Sequence, residues 1–215
     1  MSLTIYGTAA SRAARPLWVA EELQLVYQHI PLPYLGGGTR TPEFLAINPN
    51  GHIPVVVDGG VVVWESMACA LYLADRFRSD GVAPLGATTP AEQAELLRWS
   101  FWAVTECEKD ALALLMHSAL MPVERRKPAL ALDAEKRLLP PLRVLEHHLQ
   151  QQQNRLPGPM FLAGARFTVA DVCVASVLGW VRHAPALMGP CPAVRAWLDH
   201  CLARTAYQAV QAMAR

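Results

Sequence analysis

Asn48-Pro49-Asn50-Gly51-His52-Ile53-Pro54-Val55-Val56-Val57-Asp58-Gly59-Gly60-Val61-Val62-Val63-Trp64-Glu65-Ser66 is the stretch on which the fold turns. Two runs of β-branched residues flank an Asp-Gly pair, the strongest short-range signal for a β-hairpin. Ahead of the hairpin, Pro54 offers no N–H to a ladder and its bond to Ile53 can be cis, which leaves the backbone of Ile53 open to pair with a ligand. Behind it, Glu65-Ser66 opens a helical run from Met67 to Phe77. A serine at a helix start satisfies one orphan N–H, and the remaining N–H groups with the positive end of the dipole attract a carboxylate. One hairpin therefore carries two ends suited to holding a peptide.

Upstream, Leu3 to Tyr6 reads as a strand that ends at Gly7. Ser11 stands where a cap is expected for a helix from Arg12 to Leu25, whose apolar face is Leu17, Trp18, Val19, Ala20 and Leu23, with Glu21-Glu22 on the solvated side. Tyr27 to Leu32 is a second strand interrupted by Pro31, and Thr41 caps a short helix from Pro42 to Ile47. Strand, helix, strand, short helix, hairpin and helix make an α/β layer over residues 1–80.

From Arg78 to Pro90 glycine, proline and threonine replace any sustained period, so 81–90 is expected to be a linker and 91–215 an all-helical domain. Ala91 to Leu120 reads as one long helix, Pro122 to Pro128 as a polar corner, and Ala129 to Gln153 as a helix kinked at Pro140-Pro141. Thr168 with Asp171 has capping-box spacing, with Phe167 and Val172 as a hydrophobic staple, ahead of a buried helix through Trp180. Pro192 to Arg204 and a final short helix close the chain.

Composition narrows the function. A chain of 215 residues with 53% hydrophobic residues can bury a sizeable core, and a net charge of +1 gives no electrostatic footprint for nucleic acid. No apolar run reaches the roughly 20 residues of a membrane span, and the start Met1-Ser2-Leu3-Thr4 has neither a charged leader nor an apolar signal core, so a cytoplasmic protein is expected. The 5 cysteines are odd in number and lie mostly in apolar helical runs, which suits buried free thiols. No metal site is expected: His147 and His148 are adjacent and point about 100° apart on a helix, and Cys191 and Cys201 lack metal-ligand spacing.

Taken together, Ile53-Pro54, the hairpin, Glu65-Ser66 and the box at Thr168 to Asp171 resemble the cytosolic glutathione transferases, over essentially the whole chain. The start, from Tyr6 to Glu22, is similar to bacterial members that use a hydroxyl or a cysteine. The resemblance implies a thioredoxin-like N-terminal domain followed by an all-α domain, usually a homodimer, with glutathione as co-substrate. It further implies that Ile53 pairs its backbone with the cysteinyl part of glutathione across cis-Pro54, that Glu65 and Ser66 hold the γ-glutamyl end, and that His52 lies near the glycyl carboxylate. Trp102 and Met116, on the first long helix of the second domain, are the implied contributors to an electrophile pocket.

The nucleophile must be the thiolate, and a free thiol has a pKa of about 8.5. Thr8 aligns with the catalytic serine of theta- and zeta-like members. Ser11 aligns with the serine beside the cysteine of beta-like members, whose cysteine position is Ala10 here. Ser11 and Thr8, in that order, are the expected thiol-activating residues, with Tyr6 expected to pack as a strand residue. The implied activity is conjugation of glutathione to small hydrophobic electrophiles, or reduction of organic hydroperoxides by the same thiolate. The alternative is a non-catalytic glutathione-binding or protein-interaction module of the same fold.

Overall fold

The computed structural model describes residues 3–77, 84–155 and 158–214, so residues 81–83 of the expected linker lie outside the described residues. The chain divides into two compact units, Met1–Ala87 with Ala203–Arg215, and Thr88–Leu202.

In the first unit the elements run β1 (Leu3–Tyr6), α1 (Ala14–Glu22), β2 (Gln28–Ile30), a 3-10 turn (Gly38–Arg40), α2 (Pro42–Ile47), β3 (Val55–Asp58), β4 (Val61–Trp64) and α3 (Ser66–Arg76). The sheet order is β2-β1-β3-β4. β1 and β2 are parallel, as a helical crossover allows, whereas β1–β3 and β3–β4 are antiparallel. The two valine runs meet different fates because of this order. Val55 and Val56, on a central strand, are fully buried, while Val61, Val62 and Trp64, on the edge strand, keep more than two-fifths of their surface. The hairpin turn needs Gly59 at φ 57°.

β2 is shorter than the expected Tyr27–Leu32. Leu32 N–H turns back onto the Ile30 carbonyl, and prolines on either side of Leu32 supply no ladder donors. Thr41 caps α2 as expected, its hydroxyl accepting from Phe44 N–H at 3.3 Å.

Among the described residues, the second unit is helical throughout its regular structure. α4 (Pro90–Trp102), a π-helical turn (Ala103–Glu108), α5 (Lys109–Leu115) and a second π-helical turn (Met116–Leu120) form the unbroken run expected for 91–120, with two local changes of winding. Arg126, expected in a solvated corner, instead closes the end of this run. Its guanidinium donates to the carbonyls of Met121 (2.7 Å), Ser118 (3.1 Å) and Ala119, which are orphan acceptors of a helix C-terminus. α6 (Pro128–Arg155) continues through Pro140-Pro141, and α7 (Val169–Leu178), α8 (Pro185–Met188) and α9 (Pro192–Leu202) complete the unit.

The capping box at Thr168 is present and anchors this unit. Asp171 is fully buried and accepts from Thr168 N–H and hydroxyl, Leu162 N–H and Trp197 Nε1. Burial pushes its carboxyl above the usual carboxylate range, and these four donors pull it back. Glu146 of α6 caps α9 from outside, accepting from Ala193 and Val194 N–H at 3.1 and 2.9 Å.

α10 (Thr205–Met213) packs with the first unit, on α1. Glu22 takes a two-pronged ion pair from Arg204 at 2.6 and 2.7 Å and accepts from Trp18 Nε1, while Tyr207 lies 4.7 Å from the Trp18 ring. Glu21 meanwhile accepts from Tyr27 hydroxyl at 2.6 Å. The glutamate pair is thus not a solvated face: an acidic residue at a helix C-terminus opposes the dipole, and here a cation compensates it.

All 5 cysteines are free and buried, and burial lifts the thiols of Cys69 and Cys107 to about 12, which makes them inert. Among the described residues no helix is long and apolar enough to cross a membrane. The architecture, a mixed α/β domain followed by a helical one, is the one the sequence implies.

Candidate functional site

The site is built around Gly7. After β1 the chain must bring the start of α1 and the loop before β3 against one backbone position. Gly7 adopts φ 129°, and a Cβ there would stand 2.7 Å from Ala13 Cβ and 3.1 Å from Ile53 Cβ. Only glycine fits so close an approach. Its backbone is fixed on both sides, since Gly7 N–H donates to Ile30 and His29 Nε2 donates to the Gly7 carbonyl at 2.9 Å. The Thr8–Ala13 turn and the Ile53-Pro54 bond are thereby neighbours.

Ile53-Pro54 is cis, and Pro54 is buried while Ile53 is half-buried. The loop leading to it is organised by Asn48, which is 2% exposed. Its side chain donates to the His52 carbonyl at 2.7 Å and accepts from Asn50 N–H at 3.1 Å, an Asx turn that fixes the chain up to the cis bond. Gly51 sits at φ 61° with Arg40 packed over it, and Arg40 donates to the Asn50 carbonyl at 3.2 Å. The His52 imidazole is exposed and makes no hydrogen bond to a described residue. The cation at this end of the loop is thus Arg40, which sequence reasoning passed over.

At the other end of the hairpin Glu65 is exposed with φ 72° and ψ 120°, a left-handed conformation for a residue with a Cβ. Such a backbone costs about 1 to 3 kcal/mol and is held only where its surroundings impose it, often at ligand clamps. Its carbonyl accepts Cys69 N–H at 2.8 Å, so the strained residue still starts the helix. Ser66 follows, 6% exposed, and its hydroxyl accepts from Arg15 Nη1 at 2.7 Å. Arg15 lies in the first turn of α1 and is 1% exposed, a burial almost never seen for arginine without partners. It ties the start of α1 to the start of α3. A signal existed in the sequence: Arg15 is an isolated charge inside the otherwise apolar run from Ala13 to Ala20.

Ser11 is not a helix cap. α1 begins at Ala14, and the residues before it wind in three-residue turns, with Ser11 N–H on the Thr8 carbonyl and Ala14 N–H on the Ser11 carbonyl. The Ser11 hydroxyl donates to the Thr8 carbonyl at 2.7 Å and accepts from Ala13 N–H at 3.1 Å. Thr8 is half-buried, and its side chain makes no hydrogen bond to a described residue. Tyr6 packs edge-on against Phe44 with 6.2 Å between centroids, a structural contact within the first unit.

Trp102 and Met116 are both half-buried on the α4–α5 run. The π-helical turn Ala103–Glu108 and α5 lie between them. Trp102 stacks edge-on with Trp99, which also lies 4.6 Å from the His148 ring. Among the described residues no group of three or more His, Cys, Asp or Glu side chains is placed to hold a metal ion.

This geometry stands beside close sequence relatives. The family model for the glutathione S-transferase N-terminal domain matches residues 1–75 and that for the glutathione S-transferase C-terminal domain matches residues 110–200. Glutathione S-transferase 3 of Zea mays is 31% identical over 212 residues, covering 96% of this chain and 91% of the relative. Glutathione S-transferase GstB of Escherichia coli is 28% identical over 211 residues, covering 97% of each. The theta class enzyme of Xanthomonas axonopodis pv. citri, solved with glutathione bound, superposes with a TM-score of 0.81 at 29% identity, over 97% of this chain and 96% of that one. With both domain models matched in order and a relative at this identity along nearly its full length, the chain belongs to the glutathione S-transferase family.

Proposed function

We propose that this transferase holds glutathione along the hairpin, stabilises its thiolate with the hydroxyl of Ser11, and conjugates it to small hydrophobic electrophiles. The observation that carries the reading is the convergence at Gly7, which sets the Thr8–Ala13 turn against Ile53 next to the cis bond. In this reading Ile53 pairs its backbone with the cysteinyl part, Glu65 and Ser66 take the γ-glutamyl end, and His52 with Arg40 stands by the glycyl carboxylate. Ala13 N–H donates to Ser11 Oγ and so polarises its O–H. Rotation about Cβ–Oγ would swing the proton from the Thr8 carbonyl to the sulfur without moving the oxygen.

Thr8 is the second candidate, since among the described residues its hydroxyl has no competing bond to break. Trp102 and Met116 are proposed to shape the electrophile site, and the same thiolate is proposed to reduce organic hydroperoxides. A homodimer in the cytoplasm is the assembly the family resemblance implies, and the exposed apolar side chains of β4 suit a protein surface that is covered on assembly.

Retention on immobilised glutathione, followed by a conjugation assay with chlorodinitrobenzene and reduction of cumene hydroperoxide, tests the reading. Retention with turnover is expected. Binding without turnover on a broad electrophile panel would instead favour the non-catalytic module.

A further inference from the structure

From the buried bond between Arg15 and Ser66 we infer that Arg15 is a positioning residue for the ligand's α-carboxylate, acting through Ser66; this rests on the proposed γ-glutamyl site. A serine hydroxyl carries one proton and two lone pairs. Arg15 Nη1, at 2.7 Å, is a donor and can only point its hydrogen at the oxygen, so one lone pair of Ser66 Oγ is taken. The Ser66 proton is then left to be donated elsewhere. A hydroxyl that is both oriented and polarised by a cation behind it is a strong donor to an anion and a poor acceptor, and the position at the start of α3 adds the open N–H groups of a helix N-terminus.

The chemistry this selects is a carboxylate rather than an amide or an ammonium. The choice of arginine follows as well. The guanidinium remains charged at every working pH and keeps its orientation through its planar fork, whereas a lysine ammonium is a flexible point charge. Because Arg15 is 1% exposed, solvent does not screen its charge from the hydroxyl it touches. α1 therefore contributes to glutathione twice, through the turn that precedes it and through the arginine in its first turn.

The test uses the full-length protein and two peptides, glutathione and γ-aminobutyryl-cysteinyl-glycine, which is glutathione without its α-carboxylate. Dissociation constants and conjugation kinetics are measured for the natural sequence, Arg15→Met, Arg15→Lys and Ser66→Ala. The natural protein is expected to bind glutathione about 10-fold to 100-fold more tightly than the truncated peptide, the worth of a hydrogen bond to a charged group. Arg15→Met should lose about 10-fold in KM for glutathione with kcat changed less than about 3-fold, and should bind the truncated peptide like the natural protein. Arg15→Lys should recover part of the loss, and in a Ser66→Ala background Arg15→Met should add nothing.

Equal loss on both peptides means that Arg15 only supports the fold and overturns the inference alone. Equal binding of both peptides by the natural protein removes the γ-glutamyl reading and the inference with it. Should Arg15→Met fail to fold, Arg15→Lys carries the same comparison: a loss confined to glutathione supports the inference, and a loss shared by both peptides refutes it.

Discussion

Replacing Ser11 by alanine should shift the pH dependence of catalysis rather than scale it. In the free protein the Ser11 proton is bonded to the Thr8 carbonyl at 2.7 Å. Passing it to a thiolate gains a charge-assisted bond of about 1.5 to 3 kcal/mol and forfeits a neutral one of about 0.5 to 1.5, leaving about 1 to 1.5. At 1.36 kcal/mol per unit this lowers the bound thiol by about one unit, from about 8.5 to about 7.5. At about pH 6.5 the thiolate fraction would fall roughly 9-fold in Ser11→Ala, from about 9% to about 1%. The less stabilised thiolate is a better nucleophile, with a Brønsted slope of about 0.4 to 0.5, which returns a factor of about 3. The variant should therefore be about 3-fold to 9-fold slower in kcat/KM near pH 6.5 and equal or slightly faster near pH 9.5, with its acidic limb displaced upward by about one unit. The assay is kcat/KM with chlorodinitrobenzene across this range, with thermal unfolding to confirm that losing the Ala13 bond has not melted the turn. A loss that is constant with pH, or no loss, refutes the role of Ser11. The displaced limb in Thr8→Ala instead assigns it to Thr8.

Gly7→Ala places a Cβ 2.7 Å from Ala13 Cβ at φ 129°; a loss of about 2 to 4 kcal/mol in denaturant unfolding is expected, with conjugation falling further as the turn is pushed off Ile53. Glu22→Gln removes the carboxylate that pairs Arg204 at 2.6 and 2.7 Å, which should cost about 1 to 3 kcal/mol in chemical denaturation without changing the KM for glutathione. His148 stacks on Trp99, its Nε2 donates to the Leu162 carbonyl, and burial holds its pKa below 6.5. The folded-state pKa is thus under the unfolded one, so stability present above about pH 6.5 is lost as pH falls through that window. His148→Phe should lack this acid-side loss, and its unfolding midpoint compared with that of the natural sequence from pH 7 to 5 shows whether it does.

Element order was legible because local signals coincide with the tertiary answer. The Asp58-Gly59 turn, the two valine runs and the Thr168–Asp171 box each specify their geometry within a few residues. What local signals do not carry is which end of a helix meets what. Glu21 and Glu22 look solvated in any helical projection, and only the return of the C-terminal segment supplies the arginine that makes Glu22 a buried partner. Arg126 likewise reads as a surface cation until the run ending at Leu120 presents its open carbonyls. Pro140 and Pro141 sit inside α6 without ending it, since the packing of a 28-residue helix offsets two missing donors.

In the candidate site the local turns were legible and the connections between them were not, and the reason lies in how α1 is held. Its preceding turn carries Thr8 and Ser11, its first turn sends Arg15 to Ser66, and its last residue takes Arg204. These contacts span 51 and 182 positions of sequence, beyond the reach of any spacing rule. A hydroxyl expected to cap a helix becomes a turn residue because Gly7 pulls the chain against Ile53 before the helix can start. In the proposed role of Ser11, that displacement would weaken the dipole's help to a thiolate, which falls off within one turn, and would leave the hydroxyl and its Ala13 donor to supply most of the stabilisation. A serine in this turn is consequently more sensitive to the exact path of Gly7 than a true helix cap would be. Gly7→Ala and Ser11→Ala should therefore combine less than additively in activity, because both remove the same placement of one oxygen.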